Sequence, residues 1–213
     1  MMHSRNFIRL MLLIYLTLPG QGIAQAKNVP EIDKEVAPAK KRDLVHPVPL
    51  TAEEREISQK SFKRIAEVLR HPRCMNCHTV TEFPRQGDSR RRHQQMVMRG
   101  EANRGAPTMQ CSNCHQAANS QDGRVPGAPH WQLAPLSMAW EHLKTDKALC
   151  ASFVDKKKNG NRDTEKLVEH MTTDALVQWA WTPGERKPPT ISQQDFHLLV
   201  KLWARTGAAC PRN

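Results

Sequence analysis

The chain has 213 residues, a net charge of +11 and six cysteines, a length that fits one domain and excludes a multidomain enzyme. Apolar residues make up 38%, and even with the ten glycines added the total falls short of the usual share of about 45–50%; the core is modest, or completed by something other than protein. Five tryptophans exclude a disordered chain, while fifteen prolines exclude a densely regular one.

In chain order, Arg5 and Arg9 precede an apolar run from Leu10 to Leu18, and Ala24-Gln25-Ala26 offers a small-x-small cleavage site. This order predicts a cleaved secretory signal peptide over residues 1–26, since so short a run cannot cross a bilayer. Its removal takes two arginines and no acids, lowering the net charge from +11 to +9, and keeps every cysteine. The cysteines are thus expected to work in an oxidising compartment, the periplasm. Residues 27–50 carry four prolines and many charges without an apolar period, and predict an extended, solvated arm.

Residues 51–213 are expected to form one domain. Thr51-Ala-Glu-Glu54 is a capping box, and Ile57, Phe62, Ile65, Val68 and Leu69 follow at near-helical spacing, predicting a helix from about 52 to 70. His71-Pro72 ends it. Residues 71–130 hold four cysteines and five histidines and no strand-like alternation, and packing of the polypeptide alone is not expected to order them. A short helix is expected between Leu133 and Lys144, after Pro135. Asp146 is placed as the cap of a helix through Cys150 and Phe153, ended by Asn159-Gly160. Asp163 caps another through His170 and Met171, and Ser192 caps the last, through Phe196, Leu199, Val200 and Trp203, stopped by Gly207.

Cys74-Met-Asn-Cys77-His78 and Cys111-Ser-Asn-Cys114-His115 both have the C-x-x-C-H signature of c-type haem attachment. Two thiols three apart can each add to one vinyl group of the same porphyrin, and the adjacent histidine then meets the iron. The signature predicts two haem c groups, attached through Cys74, Cys77, Cys111 and Cys114, with His78 and His115 as proximal iron ligands. The competing readings are a zinc site, a thioredoxin-like redox pair and plain disulfides. The linker between the pairs is long for zinc, a redox pair needs a strand–turn–helix setting that the pattern lacks, and disulfides place no demand on residues 78 and 115. The expected fold class is therefore mainly α with extensive loops, a dihaem cytochrome c domain with helices packed around two covalently attached haems. The tryptophans are expected to pack on the porphyrins or in ordinary helix contacts.

Cys150 and Cys210 fit no such pattern, and an even remainder of two predicts one disulfide between them; the alternative is two separate buried thiols. The sixth iron ligand decides between carrier and enzyme. The candidates are His93 in the loop between the motifs, His130 in a proline-rich loop after the second, His71 three residues before Cys74, and the His170-Met171 pair late on a helix.

The stretch His71 to His78, the loop His93 to Gly100, the second C-x-x-C-H, Gly127-Ala-Pro-His-Trp131 and Leu167-Val-Glu-His-Met171 together resemble small periplasmic dihaem c-type cytochromes, among them those labelled isoquinoline 1-oxidoreductase subunit. The resemblance covers roughly residues 55–211. It implies service as an electron acceptor or relay for a periplasmic dehydrogenase. A looser likeness, which stops short of the C-terminal third, is to the small dihaem subunit of periplasmic nitrate reductase. There a histidine between the attachment motifs is a distal ligand, a role that would fall on His93.

The expected function is one-electron transfer between a dehydrogenase or reductase partner and the respiratory chain, with no catalytic residues of its own. The alternative is a dihaem peroxidase-like enzyme with one open iron; a gas or redox sensor would need a signalling domain that the sequence does not present. The positive charge, partly offset by haem propionates, predicts a redox partner with an acidic docking face and transient association with an anionic membrane surface. Arg90 to Arg92 and Lys156 to Lys158 are candidate docking points. Nucleic acid is not an expected partner.

Overall fold

The computed structural model describes residues 49–212; the expected signal peptide at 1–26 and all but the last two residues of the expected arm at 27–50 lie outside the described residues. The described chain is mainly helical with extensive loops. Its helices are α1 (Ala52–Leu69), α2 (Pro72–Met75), α3 (Asp146–Val154), α4 (Thr164–Thr173), α5 (Ala175–Gln178) and α6 (Gln193–Arg205). Between α2 and α3 lie two short antiparallel ladders, β1 (Arg85–Gln86) with β2 (Arg91–Arg92) and β3 (Gly105–Ala106) with β4 (Met109–Gln110).

The core forms where α1 packs against α6 and α3. Phe62 and Ile65 of α1, Leu149 of α3, and Val200 and Trp203 of α6 are fully buried. The Phe62 and Trp203 ring centroids are 5.4 Å apart. The apolar positions of α6 recur at three- and four-residue spacing, which lines them on one face of a helix. Ser58 ties the two helices together: its hydroxyl donates to the Trp203 carbonyl at 3.2 Å and accepts from the Ala209 amide at 2.8 Å. The chain turns away from α6 at Gly207 with φ of +91°, a left-handed geometry that glycine adopts without strain. Three residues later Cys210 meets Cys150 of α3 in a disulfide, as the cysteine count predicts.

Helix starts follow the sequence closely. Thr51 and Glu54 form the capping box, Asp163 caps α4 and Ser192 caps α6. Three expectations are corrected. Thr145, not Asp146, caps α3 by accepting from the Ala148 amide at 3.1 Å, which frees Asp146 to pair with Arg70 at the end of α1. The helix also stops at Val154 rather than at Asn159-Gly160; buried Asn159 instead donates to the Phe153 and Arg162 carbonyls and closes the following loop. Between Leu133 and Lys144 only a single 3-10 turn forms, Leu136–Met138. The chain is then extended at Ala139, so that Trp140 can donate from its amide to the His78 carbonyl and from Nε1 to the Leu69 carbonyl, both across the fold. Among the described residues no helix is long and apolar enough to cross a membrane.

Replacing Cys150 and Cys210 together by alanine opens a loop of 60 residues. In the chain-entropy account, this costs about 4 kcal/mol. Chemical denaturation of the two proteins without reductant should show a loss of this order, whereas a reducing agent should bring the parent protein to the same midpoint as the variant.

Candidate functional site

The first C-x-x-C-H is built on α2. His71 adopts an extended conformation before Pro72 and caps the turn, its Nδ1 accepting from the Arg73 amide at 3.3 Å; proline suits the first helical position because its missing N–H would have no partner there. The turn places Cys74 and Cys77 on one side and carries the chain on through the His78 amide, which donates to the Cys74 carbonyl at 3.1 Å. His78 Nδ1 lies 2.8 Å from the Met138 carbonyl. A carbonyl only accepts, so Nδ1 carries the proton and Nε2 keeps a free lone pair. The imidazole stacks on Trp140 with ring centroids 3.5 Å apart. Burial, only partly offset by the Met138 hydrogen bond, pushes its pKa down to about 3, so the ring is a neutral nitrogen donor across the ordinary pH range.

The second motif repeats this arrangement on a different backbone. Cys111 to Asn113 form a 3-10 turn, and the His115 amide donates to the Cys111 carbonyl at 2.9 Å. His115 Nδ1 lies 2.7 Å from the Pro126 carbonyl, again committing Nδ1 and freeing Nε2. Burial holds its pKa below the usual histidine value, although the Pro126 carbonyl opposes this. Gly127 makes this approach possible: a Cβ there would collide with the Gln116 and Ala118 carbonyls. Trp131 stacks on His115 with centroids 4.6 Å apart and planes 11° from parallel.

Cys74, Cys77, Cys111 and Cys114 are unpaired. Burial, with Cys77 nearby, pushes the Cys74 thiol up to about 12. Burial, with Cys111 nearby, pushes Cys77 up to about 11, and burial also raises Cys111. A redox-active C-x-x-C depends on a lowered thiol pKa, so the thioredoxin-like reading is disfavoured. Among the described residues no group of three or more His, Cys, Asp or Glu side chains is placed to hold a metal ion, so the cysteine pairs do not converge as a zinc site requires.

Polar pins rather than a second apolar core hold the loops. Buried Arg99 donates to the carbonyls of Thr79, Thr81 and Ala134 and to Asn103 Oδ1. Glu141 accepts from the Thr79 hydroxyl and the Val80 amide and faces Arg90 and Arg85 at 3.3 and 3.5 Å. Burial alone would raise the Glu141 pKa. The Thr79 and Val80 hydrogen bonds and the two arginines outweigh it, and the carboxyl sits below its usual range.

A cavity of about 420 Å³ adjoins the first motif, lined among others by Cys74, Cys77, His78, Trp131, His170 and Trp179. The structure sorts the candidate distal ligands. His170, Met171 and His130 border this cavity, His130 on an exposed loop with φ of +59°. His71 does not line it and its Nδ1 is spent on the α2 cap. His93 lies instead beside the second motif, its ring centroid 6.0 Å from that of His115, with a buried Nδ1 that has no partner. Burial, then His115 and Arg91, lower its pKa. Trp131 borders the first cavity and stacks on His115, with Trp179 edge-on at 4.8 Å, so these two indoles stand between the motifs.

The sequence reading did not find Asp174, whose Oδ2 lies 3.3 Å from His170 Nδ1, although its position four residues on from a helical histidine was a signal. It also missed Arg99 and Glu141, which no local pattern marks. Comparison with family models, curated proteins and solved structures finds no match for this chain.

Glu141 supplies a pH test of the loop scaffold. Its folded pKa is depressed, so its contribution to stability is full above the unfolded carboxylate value and is lost as pH falls through the folded one. Glu141→Gln should lower stability at neutral pH by about 1–3 kcal/mol, and the difference from the parent should shrink as denaturation is repeated towards pH 3.

Proposed function

We propose that this chain is an exported electron-transfer protein carrying two c-type haems, one at Cys74, Cys77 and His78 and one at Cys111, Cys114 and His115. The observation that carries the reading is the same in both motifs. Each pair of unpaired cysteines is followed by a histidine whose Nδ1 is committed to a backbone carbonyl, of Met138 or of Pro126, leaving Nε2 free. Metal-ligating histidines are oriented in this way, the outer hydrogen bond fixing both tautomer and ring. A disulfide or a structural turn would not need it twice.

Each site offers further support. At the second, an imidazole nitrogen lies about 2 Å from a metal it binds, so two rings on opposite sides of one ion have centroids about 6 Å apart. His93 and His115 are separated by 6.0 Å, and the unpartnered His93 Nδ1 leaves the ring with unused capacity. At the first, the cavity beside Cys74, Cys77 and His78 is faced by indole and aliphatic side chains, as a flat apolar group requires, and also by charged Arg73, Lys158, Arg162 and Asp174. When bound, a haem iron with two axial protein ligands takes up and gives up one electron.

The chain's own residues do the rest. The four cysteines would anchor, His78 and His115 would orient, and Trp131 and Trp179 would offer flat apolar faces beside the first site. Of the three consecutive arginines, Arg90 is turned inward to Glu141 and the Met75 carbonyl, while Arg91 and Arg92 are exposed. Arg91 and Arg92, and separately the exposed Lys156, Lys157 and Lys158, are basic groups that would steer an acidic redox partner.

The deciding measurement is the mass and visible spectrum of the purified protein made in an exporting, haem-attaching host. We expect the mass of two haems above the polypeptide, c-type bands on dithionite reduction, and no shift on adding carbon monoxide. Replacing Cys74 and Cys77 by alanine should remove one haem, and Cys111 with Cys114 the other. A protein without haem would overturn the proposal. A carbon monoxide shift of the parent would replace the carrier with a peroxidase-like or sensing role.

A further inference from the structure

Asp174 occupies the corner between α4 and α5. Its backbone amide donates to the His170 carbonyl, ending α4, and its side chain caps α5, Oδ1 accepting from the Leu176 and Val177 amides at 2.9 and 3.2 Å. Two amides thus fix one carboxylate oxygen. The other, Oδ2, lies 3.3 Å from His170 Nδ1. His170 borders the cavity that also holds His78, Cys74 and Cys77. This repeats, with a carboxylate in place of a carbonyl, the arrangement at His78 and His115: Nδ1 is engaged and Nε2 is left free.

Resting on the two-haem reading above, we propose that His170 is the second axial ligand of the iron held at the first motif, and that Asp174 is the positioning residue that holds the ring by Nδ1 and sets its donor strength. Met171 also borders the cavity, but it is buried in the apolar core with α1 and α6, and no polar group fixes its side chain. A carboxylate on the outer nitrogen makes an imidazole a stronger donor than a carbonyl does. Stronger donation favours the oxidised iron. The first haem is therefore held at a lower potential by Asp174 than it would be by a neutral partner, and the two haems differ in the chemistry of their outer hydrogen bonds.

The test uses the full haem-loaded protein and three variants. Asp174→Ser keeps a residue able to cap α5 but removes the carboxylate from His170. A redox titration should then show one midpoint moved to more positive potential and the other unchanged. His170→Ala should allow carbon monoxide to bind one haem of the two. His170→Met should restore six ligands and bring a methionine–iron charge-transfer band, absent from the parent, into the oxidised spectrum. Unmoved midpoints in Asp174→Ser would reduce Asp174 to a helix cap. The ligand assignment would be overturned by a His170→Ala protein still silent to carbon monoxide, by a His170→Met protein without the new band, or by that band in the parent. These outcomes differ from failure of the two-haem reading, which would appear as missing haem in the parent itself.

Discussion

The hydrogen bond from His78 Nδ1 to the Met138 carbonyl constrains a large part of the molecule. To present that carbonyl, the segment after Pro135 has to stop after a single 3-10 turn and extend at Ala139. Extension then carries Trp140 under the imidazole, where it stacks on His78 and reaches the free carbonyl of Leu69 with its Nε1. That carbonyl belongs to the last turn of α1, which has no amide of its own helix to meet. One residue's ring orientation is thereby linked to the end of the longest helix. Trp140 also touches Phe153 of α3, with ring centroids 5.1 Å apart. The site and the helical core are joined at this tryptophan.

Away from this junction, two different kinds of force hold the structure. The helical part is an apolar core of α1, α3, α4 and α6 closed by a disulfide. The loop part, residues 76–135, contributes little to that core and is fixed by polar side chains that reach several carbonyls at once. Arg99 is the main example, since its guanidinium gathers four acceptors from three stretches of chain, at Thr79 and Thr81, at Asn103 and at Ala134. Burying a guanidinium is costly unless its donors are met; the four acceptors meet both terminal nitrogens, and Nε alone has no partner. The loops must therefore take one arrangement to satisfy it. This supplies an order in residues 71–130 that the sequence reading did not expect from the polypeptide alone.

The same division explains what could be read from the sequence. Helices α1, α4 and α6 announce themselves through local signals: a cap at 51, 163 or 192 and apolar residues at helical spacing. The disulfide of the two cysteines left over was legible for a similar reason, because it follows from count, and the two C-x-x-C-H motifs stand out by spacing alone. The segment from Leu133 to Lys144 was not, because its local preference for helix gives way to a distant demand from His78. Asn159-Gly160 looks like a helix stop, but the Asn159 amide serves two carbonyls in the loop instead. The distal candidates were legible only as a set. What separates them is the setting of each Nδ1, which faces Asp174 in His170, has no partner in His93 and accepts from the Arg73 amide in His71, and that is a property of the folded chain.

The two motifs differ in their surroundings more than in their sequences. Cys74 and Cys77 are half-buried on a turn that leads directly from α1 and open on a cavity walled by the helical core. Cys114 is exposed, and its motif rests on loops. If each holds a haem, as proposed, the second is the one that a partner protein could approach closely, through the exposed Cys114 side. Trp131 is stacked on His115, meets Trp179 edge-on and borders the first cavity, and so links the two motifs. Arg73 lies beside the same indole pair, 5.9 Å from the Trp179 ring and paired to Asp88 at 2.6 Å. Asp88 compensates the charge of the buried guanidinium, which is therefore held there as a pair rather than as a bare cation. On the proposed reading, the inner site is set apart by Asp174, whose carboxylate beside His170 would favour the oxidised iron. That carboxylate, more than the shared C-x-x-C-H sequence, would set the direction in which an electron moves between the two sites.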